Sequence, residues 1–194
     1  MTEKEILELI RQDMWMMRVL RVAKSLHLPD WMIGAGFVRN KVWDYLHGYQ
    51  NKQVPTNDID LIYFDPRNTN EEQEKIYDDI LRQKFPLNWS CKNQARMHKK
   101  HKDRPYKNSK DALAHWVETA TCIAVKLNEK DELELIAPYG IDDLVNLILR
   151  PSPYFQDKEN IKYFYQRIKS KAWLKIYPQL KIADGFEPEN HNFI

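Results

Sequence analysis

At 194 residues, with 43% hydrophobic and 30% charged residues, the chain has the size and composition of one compact folded domain, which excludes a largely disordered segment. A formal net charge of +2 is too small to imply a polyanionic partner by itself, so any such partner must be sought in local clusters. No apolar run approaches the roughly 20 residues that cross a bilayer, and Glu3, Glu5 and Glu8 stand where a signal peptide would be basic, so a cytoplasmic protein with no membrane partner is expected.

In residues 3–27, Ile6, Leu7, Ile10, Met14, Met17 and Val22 recur at spacings near three and four, which predicts one amphipathic helix whose methionines fill core space. Pro29 and Asp30 break it. The apolar run Trp31, Met32, Ile33 then enters Gly34-Ala35-Gly36, and Val38, Val42, Tyr45 and Leu46 share one face of a helix over residues 37–47, which Gly48 terminates. A polar loop is expected at residues 50–57. Residues 58–64 are rich in β-formers and close on Asp65-Pro66, reading as a strand.

A second helix is expected at residues 68–83, capped by Thr69 or Asn70, and a further strand at 89–96. Cys91, His98 and His101 match no common zinc-ligand spacing, and Cys91 and Cys122 are read as reduced, packed thiols. Residues 98–110 are polar and turn-prone, and 112–116 suggest a short helix. Strands at 119–127 and 132–137 form a hairpin through residues 128–131, a helix runs from Asp142 or Asp143 to Leu149, and Pro151 and Pro153 stop it. A basic, aromatic helix over residues 160–176 completes an α/β (α+β) order without internal repeats. The expected organisation is a single domain, 1–194, with a core at about 30–150 and a C-terminal helical extension at about 151–194.

Side chains alternate along a strand, so Asp58 and Asp60 are expected on the same face, with Cα atoms about 6.6 Å apart. Two such carboxylates repel unless a cation lies between them, and hard oxygen ligands suit Mg²⁺ (or Mn²⁺) carried with substrate phosphates. A lone Asp-x-Asp is otherwise a loop cap beside an exposed acid. Upstream, Gly34 and Gly36 let backbone N–H groups approach an anion at a helix start, where Arg39 and Asn40 would add a charged fork and a neutral donor. A Gly-x-Gly turn is alternatively a tight connection, and Arg39 a surface cation.

The order Gly-x-Gly, helix, Asp-x-Asp strand resembles the nucleotidyltransferase superfamily that includes DNA polymerase beta. More narrowly, GAGFVRNKVWDYLHG, TNDIDLIYFD, KNQARMH, WVETAT and IAPYGIDDLVNLILRP resemble segments of a family of bacterial nucleotidyltransferase-like proteins, in matching order across residues 31–173. The resemblance implies the nucleotidyltransferase fold, a small mixed sheet flanked by helices with N- and C-terminal helices packed on it. It also implies metal-dependent transfer of a nucleoside monophosphate from an NTP to an acceptor of unknown class (small molecule, RNA or protein). In that reading Asp58 and Asp60 hold the metal, and Gly34, Gly36, Arg39, Asn40, Lys92 and Arg96 line the nucleotide.

Two departures stand out. Ala35 occupies the turn position where a phosphate-binding serine or a glycine is usual, and the strand expected to supply a third carboxylate offers Lys92-Asn93-Gln94. Asn93 would ligate a metal there but cannot take a proton, which leaves Glu118 as the candidate base.

A Rossmann dinucleotide site ranks lower because Arg39 stands where a third small residue is needed, and neither a P-loop nor a Gly-x-Ser-x-Gly elbow occurs. A non-catalytic nucleotide- or RNA-binding module on the same fold is the rival reading. The cations Lys92, Arg96, Lys99, Lys100, Lys102, Arg104, Lys107 and Lys110, with Tyr106 for stacking, offer a nucleic-acid surface.

Overall fold

The computed structural model describes residues 1–49, 58–101 and 103–188; the expected loop at residues 50–57 lies outside them. The amino-terminal helix is two helices, α1 (Glu3–Arg11) and α2 (Met14–Lys24). Asp13 makes the break. Its carboxylate accepts from the N–H groups of Trp15 (3.0 Å) and Met16 (3.1 Å), giving α2 an N-cap, and pairs with Lys41 at 2.7 Å. As the first residue of α2, Met14 leaves the apolar face and is 87% exposed, whereas Ile6, Ile10 and Met17 are buried as expected.

The central sheet contains β1 (Met32–Gly34), β2 (Ile59–Tyr63), β3 (Trp89–Asn93), β4 (Ala124–Leu127) and β5 (Leu133–Ile136), in the order β3-β2-β1-β4-β5. The β2–β3 pair is parallel and the other three are antiparallel, so the sheet is mixed. Between β1 and β2 lies α3 (Gly36–Leu46), and between β2 and β3 lies α4 (Glu71–Lys84), capped by the Asn70 side chain on Glu72 N–H at 3.0 Å. Alternation divides the sheet. Ile33, Ile59, Leu61, Tyr63, Cys91 and Val125 enter the main core with α1, α2 and α3, while Met32, Ile62 and Ala124 form a smaller cluster on the other face with Leu113.

The edge strand β3 is closed by side chains. Glu74 and Asp78, one turn apart on α4, accept the outward N–H groups of Asn93 (2.9 Å) and Cys91 (2.7 Å). Cys91 and Cys122 are free and buried, and burial pushes both thiols up from their ordinary range.

Several boundaries differ from the sequence expectations. The strand expected at 89–96 ends at Asn93, where α5 (Gln94–His101) begins. Residues 119–123 form a turn and a short connection, with Thr121 and Cys122 N–H bonds to the Glu118 carbonyl, so only β4 remains of the strand expected at 119–127. The short helix α6 is Ser109–Ala114. The helix expected up to Leu149 stops as α7 (Asp142–Val145), because Leu147 adopts φ 60°, and β6 (Ile148–Leu149) follows and pairs in parallel with β7 (Lys181–Ile182). The last helix is split into α8 (Ile161–Lys171) and α9 (Trp173–Ile176) by Ala172 at φ 49°. Among the described residues, no helix is long and apolar enough to cross a membrane.

Candidate nucleotide and metal site

The turn from β1 into α3 depends on close approach. A Cβ on Gly34 would lie 2.9 and 3.0 Å from the Trp116 indole and 3.3 Å from the Ile123 carbonyl, so the glycine admits both neighbours. Ala35 adopts φ 53° and ψ −124°, held by its N–H on Ile123 O (3.0 Å) and by its own carbonyl, which accepts from Val38 and Arg39. Among the described residues no side chain caps α3. The absent Cβ of Gly36 leaves room for Asn40 Nδ2, at 3.3 Å, and for Arg39 Nη2, at 3.6 Å, to fold back over the first turn.

Continuing the register Met32↔Ile62 and Ile33↔Leu61 by one residue brings Asp60 alongside Gly34. Asp60 is partly buried in β2, and Asp58, immediately before the strand, is exposed. Burial raises the Asp60 carboxyl to about 6, and the charge of Asp58 adds to the rise, while Arg39, Arg167 and Lys171 oppose it. The register therefore brings Asp60 to the glycine turn, with Asp58 two residues before it, and the protein cations only partly offset the effect of burial and of Asp58 on Asp60. Among the described residues no group of three or more His, Cys, Asp or Glu is poised to hold a metal ion. An Asp pair completed by substrate phosphates and water matches the donor set Mg²⁺ favours, so these residues fit that ion.

Arg39 is not an exposed phosphate fork. It is buried, donating through Nη1 to Thr121 Oγ1 (2.9 Å) and through Nε and Nη2 to Asn40 Oδ1 (3.2 and 2.9 Å), with its guanidinium 4.4 Å over Trp173 and 5.1 Å over Trp43. Burial lowers its pKa to about 10, which leaves it charged at neutral pH as a fixed cation between Glu118 and Asp60. Asn40 is accordingly a partner of Arg39.

Asn93 does not stand beside the aspartates. It pairs with Tyr63, three residues along β2–β3 from the Asp60↔Ser90 pair, and its amide is saturated: Nδ2 donates to the carbonyls of Asp65 (2.7 Å) and Asn68 (2.8 Å), and Oδ1 accepts from the N–H groups of Asp65 (3.0 Å) and Ala95 (3.1 Å). Lys92 and Arg96, expected at the nucleotide, are engaged with acidic side chains of α4. Lys92 lies 3.4 Å from Glu74, and Arg96 grips Glu74 at 2.8 and 2.6 Å and also pairs with Glu71. Both cations are recruited by the buried Glu74. Arg104, in the basic segment, is likewise committed to Asp111 through two bonds of 2.8 Å.

Glu118 is fully buried. Its Oε1 accepts from Arg167 Nε at 2.8 Å, its Oε2 has no hydrogen-bond partner among the described residues, and its backbone bridges to Pro151. It is tied to the aspartates indirectly, since Arg39 and Arg167 act on Asp60 and Glu118 acts on Arg39. Closed off from solvent and held by Arg167, it is a built-in member of the charged cluster and does not present a carboxylate to an acceptor.

Sequence reasoning missed Arg167, Lys171, Trp173 and Thr121. The available signal was the basic, aromatic helix itself, in which Arg167 and Lys171 stand four residues apart on one face.

A family model described as Nucleotidyltransferase matches residues 21–182. A solved structure described as a CCA-adding enzyme head domain superposes with a TM-score of 0.80, at 34% identity over 94% of this chain and 96% of that one. Two longer solved enzymes share the fold: a CCA-adding enzyme in complex with CTP (TM-score 0.58, 16% identity, 95% of this chain and 44% of that one) and the Thermotoga maritima CCA-adding enzyme in complex with tRNA (TM-score 0.56, 18% identity, 95% and 43%). This chain thus spans less than half the length of those two enzymes. No curated protein matches it.

Proposed function

Because the chain belongs to the nucleotidyltransferase family, we propose that it transfers a nucleoside monophosphate from an NTP to an acceptor hydroxyl at the sheet face carrying Asp58 and Asp60. The observation that carries this reading is the pair itself. Register sets Asp60 beside the glycine turn that opens α3, Asp58 lies two residues before it, and the Asp60 carboxyl is raised to about 6 by burial and by Asp58.

Asp58 and Asp60 would hold Mg²⁺, which when bound would offset the charge of the triphosphate and favour the departing pyrophosphate. The N-terminal end of α3, approached through Gly34-Ala35-Gly36, directs its positive dipole end toward the same anion. The buried guanidinium of Arg39 supplies a fixed positive potential from beneath. In the reaction the acceptor oxygen bonds to the α-phosphorus and the α–β phosphoanhydride bond breaks. Pyrophosphate leaves with the electron pair, and the hydroxyl proton passes to water. The similarity to proteins described in complex with CTP and with tRNA makes an RNA 3′-hydroxyl the first acceptor to examine.

The test incubates the protein and Mg²⁺ with each labelled NTP and an RNA pool. Metal-dependent incorporation is expected, falling about a hundredfold or more in Asp60→Asn. The burial of Glu118, the candidate third carboxylate, and its pairing with Arg167 favour a second reading as a nucleotide-binding module. Metal-dependent NTP binding without transfer to any RNA or small-molecule acceptor would establish that second reading.

A further inference from the structure

The helix α8 reaches the site from the far end of the chain. Arg167 donates its Nε to Glu118 at 2.8 Å and lies 5.7 Å over the Trp173 ring, on which Arg39 also rests at 4.4 Å. Glu118 is 0% exposed, whereas the Arg167 side chain retains 36% of its accessible surface. A buried carboxylate of this kind contributes little to stability, since desolvation offsets most of the attraction to its partner. What the pair achieves is aim. Held through Nε and by the indole, the Arg167 guanidinium keeps both Nη groups free of hydrogen bonds to any described residue, and one helical turn on, Lys171 is exposed and makes no ion pair among the described residues. Arg39, on the same Trp173 ring, folds back over the Gly36 turn, and strand register sets Asp60 alongside Gly34, so this end of α8 lies by the turn and the aspartate strand.

A guanidinium with both Nη groups open and an exposed ammonium, close to two carboxylates, suit a ligand that is anionic yet carries its own metal. We propose that Arg167 and Lys171 form the subsite for the β- and γ-phosphates of the nucleotide, and for the pyrophosphate released, with Glu118 as the positioning residue that orients Arg167. The subsite rests on the nucleotidyltransferase reading above for its ligand and on α8 for its geometry. Arg167 is the fork, able to take two phosphate oxygens at once, and Lys171 is the point charge.

Calorimetric titration with magnesium pyrophosphate, and with each NTP and NMP in Mg²⁺, tests it on two variants that keep the fold. Arg167→Lys retains a cation for Glu118 but loses the fork, and Lys171→Ala alters an exposed position. Each is expected to weaken pyrophosphate and NTP binding about tenfold to a hundredfold while leaving NMP affinity unchanged. Parental affinities in both variants, or equal losses for NMP and NTP, would overturn the subsite. Should the parent bind NTP and lose it in Asp60→Asn while the α8 variants bind normally, only the subsite falls. Should it bind pyrophosphate through Arg167 and Lys171 yet bind no NTP, the transferase reading falls and the anion subsite stands, and binding of neither ligand overturns both.

Discussion

The two ends of the β2–β3 pair carry similar residues in opposite states. At the Tyr63↔Asn93 end, Glu74 is buried; burial works to raise its pKa, but the bonds from Arg96 and the Asn93 N–H outweigh this and hold the carboxyl below its ordinary value. At the Asp60↔Ser90 end, burial and Asp58 prevail over Arg39, Arg167 and Lys171, and Asp60 rises to about 6. The first end has closed its electrostatics within the protein. The second is left incomplete, and a site that awaits a cation and an anion has this character.

The comparison breaks most severely at Glu74. Glu74→Ala leaves the Asn93 N–H without its acceptor and Arg96 with Glu71 alone, and is expected to lower unfolding stability by about 3–5 kcal/mol in urea titrations, while Mg²⁺-dependent NTP binding by the folded fraction is unchanged. A loss of nucleotide binding in the folded variant would mean that the two ends are not separate. Asn93→Asp sharpens the point. If the amide is structural, a carboxylate facing the carbonyls of Asp65 and Asn68 costs about 2–3 kcal/mol and brings no gain in metal affinity. Enhanced Mg²⁺ binding, read by calorimetry, would return Asn93 to the site.

The smallest effect has the opposite sign. The Asp60 pKa lies above its unfolded value, so its contribution to stability is complete below about pH 4 and lost as pH rises through about 6. Asp60→Asn is therefore expected to be more stable than the parent by about 1–2 kcal/mol at pH 8, with the advantage vanishing by pH 4. Thermal unfolding of both proteins across that range, without divalent metal, gives the answer. A constant difference across pH would remove the claim of a frustrated carboxylate.

Much of the frame was legible because it rests on local rules. Alternating residues around Leu61, the glycines at 34 and 36, the Asn70 cap and the hairpin turn each announce their element within a few positions. The misreadings share a cause in distant partners. Asn93 has the right residue type, yet strand register sets it three residues from Asp60, and register is invisible until both strands are paired. Arg39 reads as an exposed fork until Trp173, from α9, covers it. The interruptions at Leu147 and Ala172 put non-glycine residues in the left-handed region, which propensity disfavours and tertiary packing imposes.

The carboxylates that α4 seats on the edge of β3, Glu74 and Asp78, also bear on how molecules of this protein meet one another. By occupying the outward N–H groups of Asn93 and Cys91, they do the work of a neighbouring strand with two side chains from a single helical turn. A second copy meets two occupied donors along that margin, which disfavours strand addition beside the aspartate-bearing strand β2.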